Sequence, residues 1–280
     1  WVVLVVHARG GHPPWDVTRD EVALLPPEEY AGALEPRAGA VVLANLRGQR
    51  QRRAVDQRLS GDDWRRLHAL EGVALRKQDD GLHHILDVLV KEGLYDRALV
   101  VFMGDVAVGD PPSVPFAPIP PLREDVLMAP LIVKFPGGAL AGTHAEASAT
   151  AVDVTRTVLD ARGAGVERTE GTDLFRLARN DVPLDGHPLV ARLGARYATR
   201  LGPWLLTGEF GRRPSLCRTD VDPACANDVY AENPLAAAAL WQRTYRAEVA
   251  ARARRAESGS KIVPAGLDAD TQAALKVFGY

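Results

Sequence analysis

Between Arg97 and Asp105 the chain carries ALVVFM and a glycine, an apolar run with no polar residue interleaved. A strand with one wet face alternates apolar and polar side chains, so a run without alternation reads as a strand covered on both faces. Two further short runs, Trp1–His7 and Leu131–Phe135, are apolar but for His7 and Lys134. Helical spacing lies between and after them. From Ser60 to Gly93 apolar residues recur at Trp64, Leu67, Leu70, Ala74, Leu82, Ile85, Leu86 and Leu89, with Ser60 and Asp63 as a start signal and Gly93 as a stop. Val152–Ala161 repeats the pattern on a shorter scale, with Asp153 near its start and Gly163 past its end. Buried strands alternating with helices predict an α/β fold, a mainly parallel sheet sandwiched by helices.

After about residue 185 the texture changes. Short alternating pieces at Pro188–Leu193, Tyr197–Leu201, Trp204–Gly208 and Leu216–Arg218, parted by Gly and Pro, predict an antiparallel meander. Helices are expected over Pro234–Arg255 and Asp268–Phe278. The least regular stretches are expected at Asp20–Arg37 and at the proline-rich Gly109–Pro121. With 280 residues, 46% of them hydrophobic, the chain is long enough for one main core and a smaller appendage. We expect an α/β core over 1–184 and a small antiparallel subdomain with helices over 185–280. The chain opens at Trp1 inside an apolar run that reads as a strand already under way, so it is expected to be a segment of a longer chain.

A formal charge of -2 provides no global attraction to nucleic acid or anionic lipid. The arginine clusters at Arg47–Arg58, with no aromatic, and Arg243–Arg255, with the single Tyr245, read as solvated faces, so no nucleic-acid partner is expected. No apolar run approaches the ~18 residues of a membrane span. Cys217 and Cys225 are the two cysteines. Their spacing allows a disulfide in an oxidising compartment, and equally two free thiols.

In an α/β sheet, ligands gather at the carboxyl ends of strands, and two side chains with useful chemistry sit there in sequence. His12 follows the first run and Asp105 the second. Asp105 reads either as a turn residue capping backbone donors or as a cation ligand. Val106, beside it, has no lone pair to add to a coordination sphere. His7 is expected as a buried, hydrogen-bonded imidazole. His83 and His84 are adjacent on a helix, about 100° apart, and do not chelate one ion together.

Four separated stretches resemble the sulfatase branch of the alkaline phosphatase superfamily. VVHARGGHPPWDV resembles its strand ending in His followed by His-x-Pro-aromatic, and Asp79 to Leu89 with GLYDRALVVFMGD resembles its helix and apolar strand before Ser-Asp-His-Gly. LREDVLMAPLIVKFPGG and TAVDVTRTVLDARG are similar to its Pro-Leu-Ile-Val-Arg-Phe-Pro-Gly and following helix. GPWLLTGEFG, LCRTDVDPACANDVYAENP and LDADTQAALKVFGY are similar to its C-terminal strands and ending. In order, these match the carboxyl-terminal two thirds of the family.

That resemblance implies hydrolysis of a sulfate or phosphate ester at a divalent cation. A nucleophile would come from a C/S-x-P-S-R motif that this chain does not contain. It makes His12 the group that holds the ester and protonates the leaving oxygen, and Asp105 a ligand of Ca2+, with Mg2+ the less fitting ion. Val106 stands where the family has a second ligand, and PFAPIPP, before Arg123, stands where it often has a basic catalytic residue. The expected function is therefore a sulfatase-like segment that is weakly active or inactive by itself. The alternatives are a non-catalytic pseudo-sulfatase module, or a phosphodiesterase or phosphotransferase of the same superfamily. The implied partners are a sulfated or phosphorylated small molecule or glycan, and the missing N-terminal half of the protein. The implied location is periplasmic or secreted.

Overall fold

The computed structural model describes residues 2–8, 17–23, 30, 60–104, 122–164, 171–182 and 188–258. The chain divides into two compact units. One comprises Trp1–Val3, Asp87–Val114 and Pro120–Arg252, the other Leu4–Leu86, Pro115–Ile119 and Ala253–Tyr280.

In the second unit, α1 (Arg19–Val22) precedes α2 (Gly61–Lys91), most of which belongs here. The α2 start is the one expected, and its mechanism is a reciprocal cap. Ser60 N–H and Oγ donate to Asp63 Oδ2, each at 2.8 Å, while Asp63 N–H donates to Ser60 Oγ at 3.1 Å. Tyr30 Oη donates to the other carboxylate oxygen at 2.6 Å. That bond, with those from Ser60, holds the Asp63 carboxyl below the usual range. Leu67, Leu70 and Ala74 form the buried stripe of α2. The helix stops at Gly93, whose φ of 64° lets the chain turn back.

The larger unit holds two sheets. β1 (Val100–Met103) pairs with β2 (Leu131–Lys134), with Met103 opposite Leu131. The pairing is antiparallel, whereas the sequence reading placed both strands in a mainly parallel sheet. Parallel pairing needs a crossover that returns the chain to the end where the first strand began. Here β2 begins beside the end that β1 leaves, and Gly104 N–H donates to Pro130 O at 2.9 Å. Among the described residues no parallel pair occurs. The segment Trp1–His7, read as a buried strand, differs too. Val2–Val6 are 55–91% exposed and join no ladder among the described residues. An all-apolar strand is buried only when neighbours lie on both edges and both faces, and periodicity alone cannot supply those neighbours.

Lys134 ties β2 to the turn before β1. Its Nζ donates to the carbonyl oxygens of Tyr95, Asp96 (2.9 Å) and Ala98 (3.1 Å), and lies 4.6 Å from the Tyr95 ring centroid. Substituting Lys134→Met keeps the stem and removes the ammonium, and is expected to lower stability by about 2 kcal/mol. Urea unfolding measures it; a change under ~0.5 kcal/mol would show that water serves those carbonyls equally well.

Past β2, Phe135 meets Phe175 edge to face at 5.1 Å and forms a small core with Leu174 and Leu177. These side chains sit under α4 (Ala151–Ala161) and α5 (Leu174–Ala178), which follow the short α3 (Glu124–Leu127) in chain order. Asp153 joins α4 to α5 and is fully buried. Its Oδ2 accepts from Thr150 N–H (2.6 Å) and Thr150 Oγ1 (2.7 Å), and its Oδ1 from Thr172 N–H (2.7 Å). Thr157 Oγ1 accepts from Leu174 N–H at 2.8 Å. The neighbouring Gly171 has φ 109°, and a Cβ there would come within 2.7 Å of Val152 O, so only glycine fits.

The second sheet is the meander expected from sequence. β3 (Leu189–Leu193), β4 (Arg196–Leu201), β5 (Trp204–Glu209) and β6 (Ser215–Arg218) pair antiparallel in that order. Period-2 alternation sorts its two faces. Tyr197, Leu206 and Leu216 pack with Ala237 and Leu240 of α6 (Pro234–Ser258), whereas Ala198, Leu205 and Cys217 pack with Leu122, Leu127 and Cys225. Leu206, Leu216 and Leu240, all at most 1% exposed, contribute about 2 kcal/mol each by burial. Polar contacts fix the α6 register: Thr199 and Thr244 hydroxyls bond at 2.6 Å, and Glu248, 6% exposed, accepts from Arg192 and Arg252. Cys217 and Cys225 are disulfide-bonded, which settles the choice that spacing left open.

Candidate functional site

His12, Asp105, Val106 and the PFAPIPP stretch all lie outside the described residues. The structure describes what brackets them: β1 ends at Met103, two residues before Asp105, and the chain resumes at Leu122. His7, expected to be buried, is exposed, because the apolar run it ends is itself uncovered. His83 and His84 are on exposed positions of α2, as read. Among the described residues no three His, Cys, Asp or Glu side chains converge to hold a metal ion. No helix among the described residues is long and apolar enough to cross a membrane.

The described part of the larger unit does build a cleft lined by charged and apolar groups, which the sequence reading missed. It is open, about 540 Å³ in volume, and lined by Glu124, Arg200, Pro203, Thr219, Asp220 and Pro223 among others. Two elements meet there. Leu122 and Leu127 flank Glu124 and pack onto Ala198, Leu205 and Cys217, which sets α3 against one face of the meander. Arg200 lies on β4 two residues beyond Ala198, hence on the same face, and Leu205 is its cross-strand partner.

Arg200 reaches Glu124 with Nε 3.0 Å from Oε1 and donates from Nη1 to Ser148 Oγ at 2.8 Å. The Nε approach is an ion pair whose oxygen lies off the N–H direction, since Nε has no hydrogen-bond partner. Asp220, which lines the cleft, is gripped by Arg218 with two bonds, Nε–Oδ1 at 3.1 Å and Nη2–Oδ2 at 2.6 Å, and Arg218 lies over the Trp204 ring. This pairing holds the Asp220 carboxyl below its ordinary range and raises Arg218.

The wall carrying Thr219, Asp220 and Pro223 is the loop closed by the Cys217–Cys225 disulfide. Asp222 inside it accepts from Asn227 N–H (2.9 Å) and Ala226 N–H (3.1 Å), bonds that lower its carboxyl. Thr219 N–H donates to Pro203 O at 2.9 Å, tying this loop to the β4–β5 turn. Glu124 appears in the sequence only as part of a matched motif. No sequence signal joins it to Arg200 and Asp220, which depend on strand register for their meeting.

No family model matches the chain, and no curated protein matches it in sequence. Solved structures do match in fold. A protein solved in complex with its substrate D-glucosamine-2-N,6-O-disulfate superposes with TM-score 0.57 at 19% identity over 72% of this chain and 44% of that one. The protein yidJ of Bacteroides fragilis, assigned to the sulfatases, gives TM-score 0.55 at 17% identity over 72% of this chain and 46% of its own. The phosphonate monoester hydrolase of Agrobacterium radiobacter gives TM-score 0.56 at 18% identity over 86% of this chain and 55% of its own. The chain thus spans about half the length of the structures it matches. The fold is thus shared with a protein assigned to the sulfatases and with a phosphonate monoester hydrolase.

Proposed function

We propose that this chain, with its sulfatase-like fold, is part of a metal-dependent ester hydrolase acting on a sulfate ester, and that it is weakly active or inactive by itself. The observation that carries the reading is the fold likeness over 72% or more of the chain, beside the four sequence stretches. In this reading Asp105 supplies one carboxylate to Ca2+, which when bound would neutralise charge on the transferring group. His12 protonates the leaving oxygen. The nucleophile, the other ligands and the central parallel strands come from the remainder of the fold, which is the proposed partner of these 280 residues. The domain division at 184/185 belongs to the same reading, with the meander of Leu189–Arg218 wholly on the C-terminal side.

A sulfated sugar is the proposed substrate class, supported by the disulfated glucosamine that one structural neighbour carries. A phosphate or phosphonate monoester is the second class, supported by the neighbour whose likeness covers 86% of this chain. The disulfide supports an extracytoplasmic, oxidising location. Val106 and PFAPIPP favour a pseudo-sulfatase as second reading, since each places apolar side chains where the chemistry needs polar ones. The purified 280-residue chain, assayed on an aryl sulfate with and without calcium, is expected to release no phenol. Turnover by the chain alone would overturn its inactivity. A parent containing C/S-x-P-S-R should turn over and lose at least ~100-fold on His12→Ala; a silent parent supports the pseudo-sulfatase.

A further inference from the structure

We propose that the cleft between α3 and the ends of β4, β5 and β6 is a subsite for the uncharged hydroxyls of a sugar ring. The inference rests on the reading above for a sugar ester as ligand. Its chemistry comes from the Glu124–Arg200 ion pair and from Asp220, whose charge Arg218 balances from outside the cleft. Each cation is matched by a carboxylate, so the cleft has no surplus positive charge to draw in a sulfate or phosphate. It presents donors and acceptors side by side instead. A hydroxyl both donates and accepts, so neighbouring ring hydroxyls satisfy a guanidinium N–H and a carboxylate oxygen together. The Glu124 carboxylate is open to such a partner: among the described residues it has the off-line Arg200 contact and accepts no hydrogen bond. Pro203 and Pro223 provide apolar surface for the C–H face of the ring.

The wall is ordered before any ligand arrives. The disulfide, the Asp222 bonds to Ala226 and Asn227 and the Thr219–Pro203 bond hold the loop, and Leu122 and Leu127 seat α3 on the sheet below. A site built this way loses little conformational freedom on binding.

The test uses the full chain on an array of neutral and sulfated oligosaccharides of glucose, galactose, glucosamine and glucuronate, with titration of the best ligand. Wild-type chain is expected to bind sugars of at least one ring type, the neutral form within about threefold of the sulfated one. Glu124→Gln and Arg200→Met should each weaken binding about tenfold or more, equivalent to ~1.4 kcal/mol. Asp220→Asn provides an independent variant at the rim, and melting curves confirm that each variant folds. No binding on the array, binding untouched by the folded variants, or binding restricted to sulfated sugars and abolished by 0.5 M salt would each overturn the subsite. Hydrolysis is a separate readout: binding without turnover upholds the cleft, while turnover by the parent with unchanged KM in Glu124→Gln sinks the cleft and leaves the hydrolase reading standing.

Discussion

Substituting Gly208→Ala is expected to destabilise the chain by about 3 kcal/mol, and Tyr197→Phe in the same molecule is expected to recover about 2 kcal/mol of that loss. Gly208 on β5 is the cross-strand partner of Tyr197 on β4. The Tyr197 ring lies over the glycine: an added Cβ would come 2.6 Å from its Oη, 2.9 Å from its Cζ and 3.2 Å from Pro214 Cα. The ring cannot swing aside, because it is 1% exposed and packed against Phe210 and Trp241 at centroid distances of 4.9 and 5.5 Å. Its hydroxyl is buried and has no hydrogen-bond partner. Removing that hydroxyl relieves the closest contact and ends a desolvation penalty, so Tyr197→Phe alone is expected to raise stability by about 1 kcal/mol.

The same phenol predicts a pH dependence. Burial, reinforced by the nearby Tyr230, pushes the Tyr197 hydroxyl up to about 12. The unfolded chain titrates it near ~10, so between those values the folded state holds more protons and stability falls as pH rises. Below ~pH 10 the contribution is fully present, and Tyr197→Phe should flatten the alkaline fall. Urea melts of the single and double variants from neutral to high pH measure both effects. A double variant that recovers only what Tyr197→Phe gains by itself, or an unchanged alkaline fall in the phenylalanine variant, would refute the contact.

Asp153→Ala is expected to cost about 3 kcal/mol and to loosen α4 and α5 together. The fully buried carboxylate accepts from three donors, two on Thr150 and one on Thr172. Alanine leaves those donors without their acceptor and removes the Asp153 half of the capping box that starts α4. Asparagine has one acceptor oxygen in place of two, so one donor would face an amide N–H; Asp153→Asn should cost about half as much. Hydrogen exchange tells this from a general loss of stability: amides of Thr150–Ala161 and Thr172–Ala178 should lose protection before those of the meander. Uniform loss across both regions would show that Asp153 does not act as a local joint.

Much of this fold was readable from local pattern. The α2 limits followed from Ser60, Asp63 and Gly93, which act through bonds to near neighbours in the chain. The four meander strands followed from alternation and turn residues, since each needs only the next strand for its ladder. Pairing direction was less accessible. β1 and β2 are parted by residues 104–130, and the apolar character of both is the same whether they run parallel or antiparallel. The burial assigned to Val2–Val6 failed for a related reason, because apolar composition describes what a segment would gain from cover and says nothing of whether cover is present.

By itself the sequence determined the helix ends, the strand-rich C-terminal third and the family likeness, through interactions of short range in the chain and motifs in a recognisable order. Only the tertiary structure decided that β1 and β2 run antiparallel, that Cys217 and Cys225 are joined, and that Glu124, Arg200 and Asp220 share one cleft. The physical reason is that each of these depends on distance in space between residues far apart or differently oriented along the chain. Strand register and the apolar seating of Leu122 and Leu127 set those distances, and no spacing along the backbone encodes them.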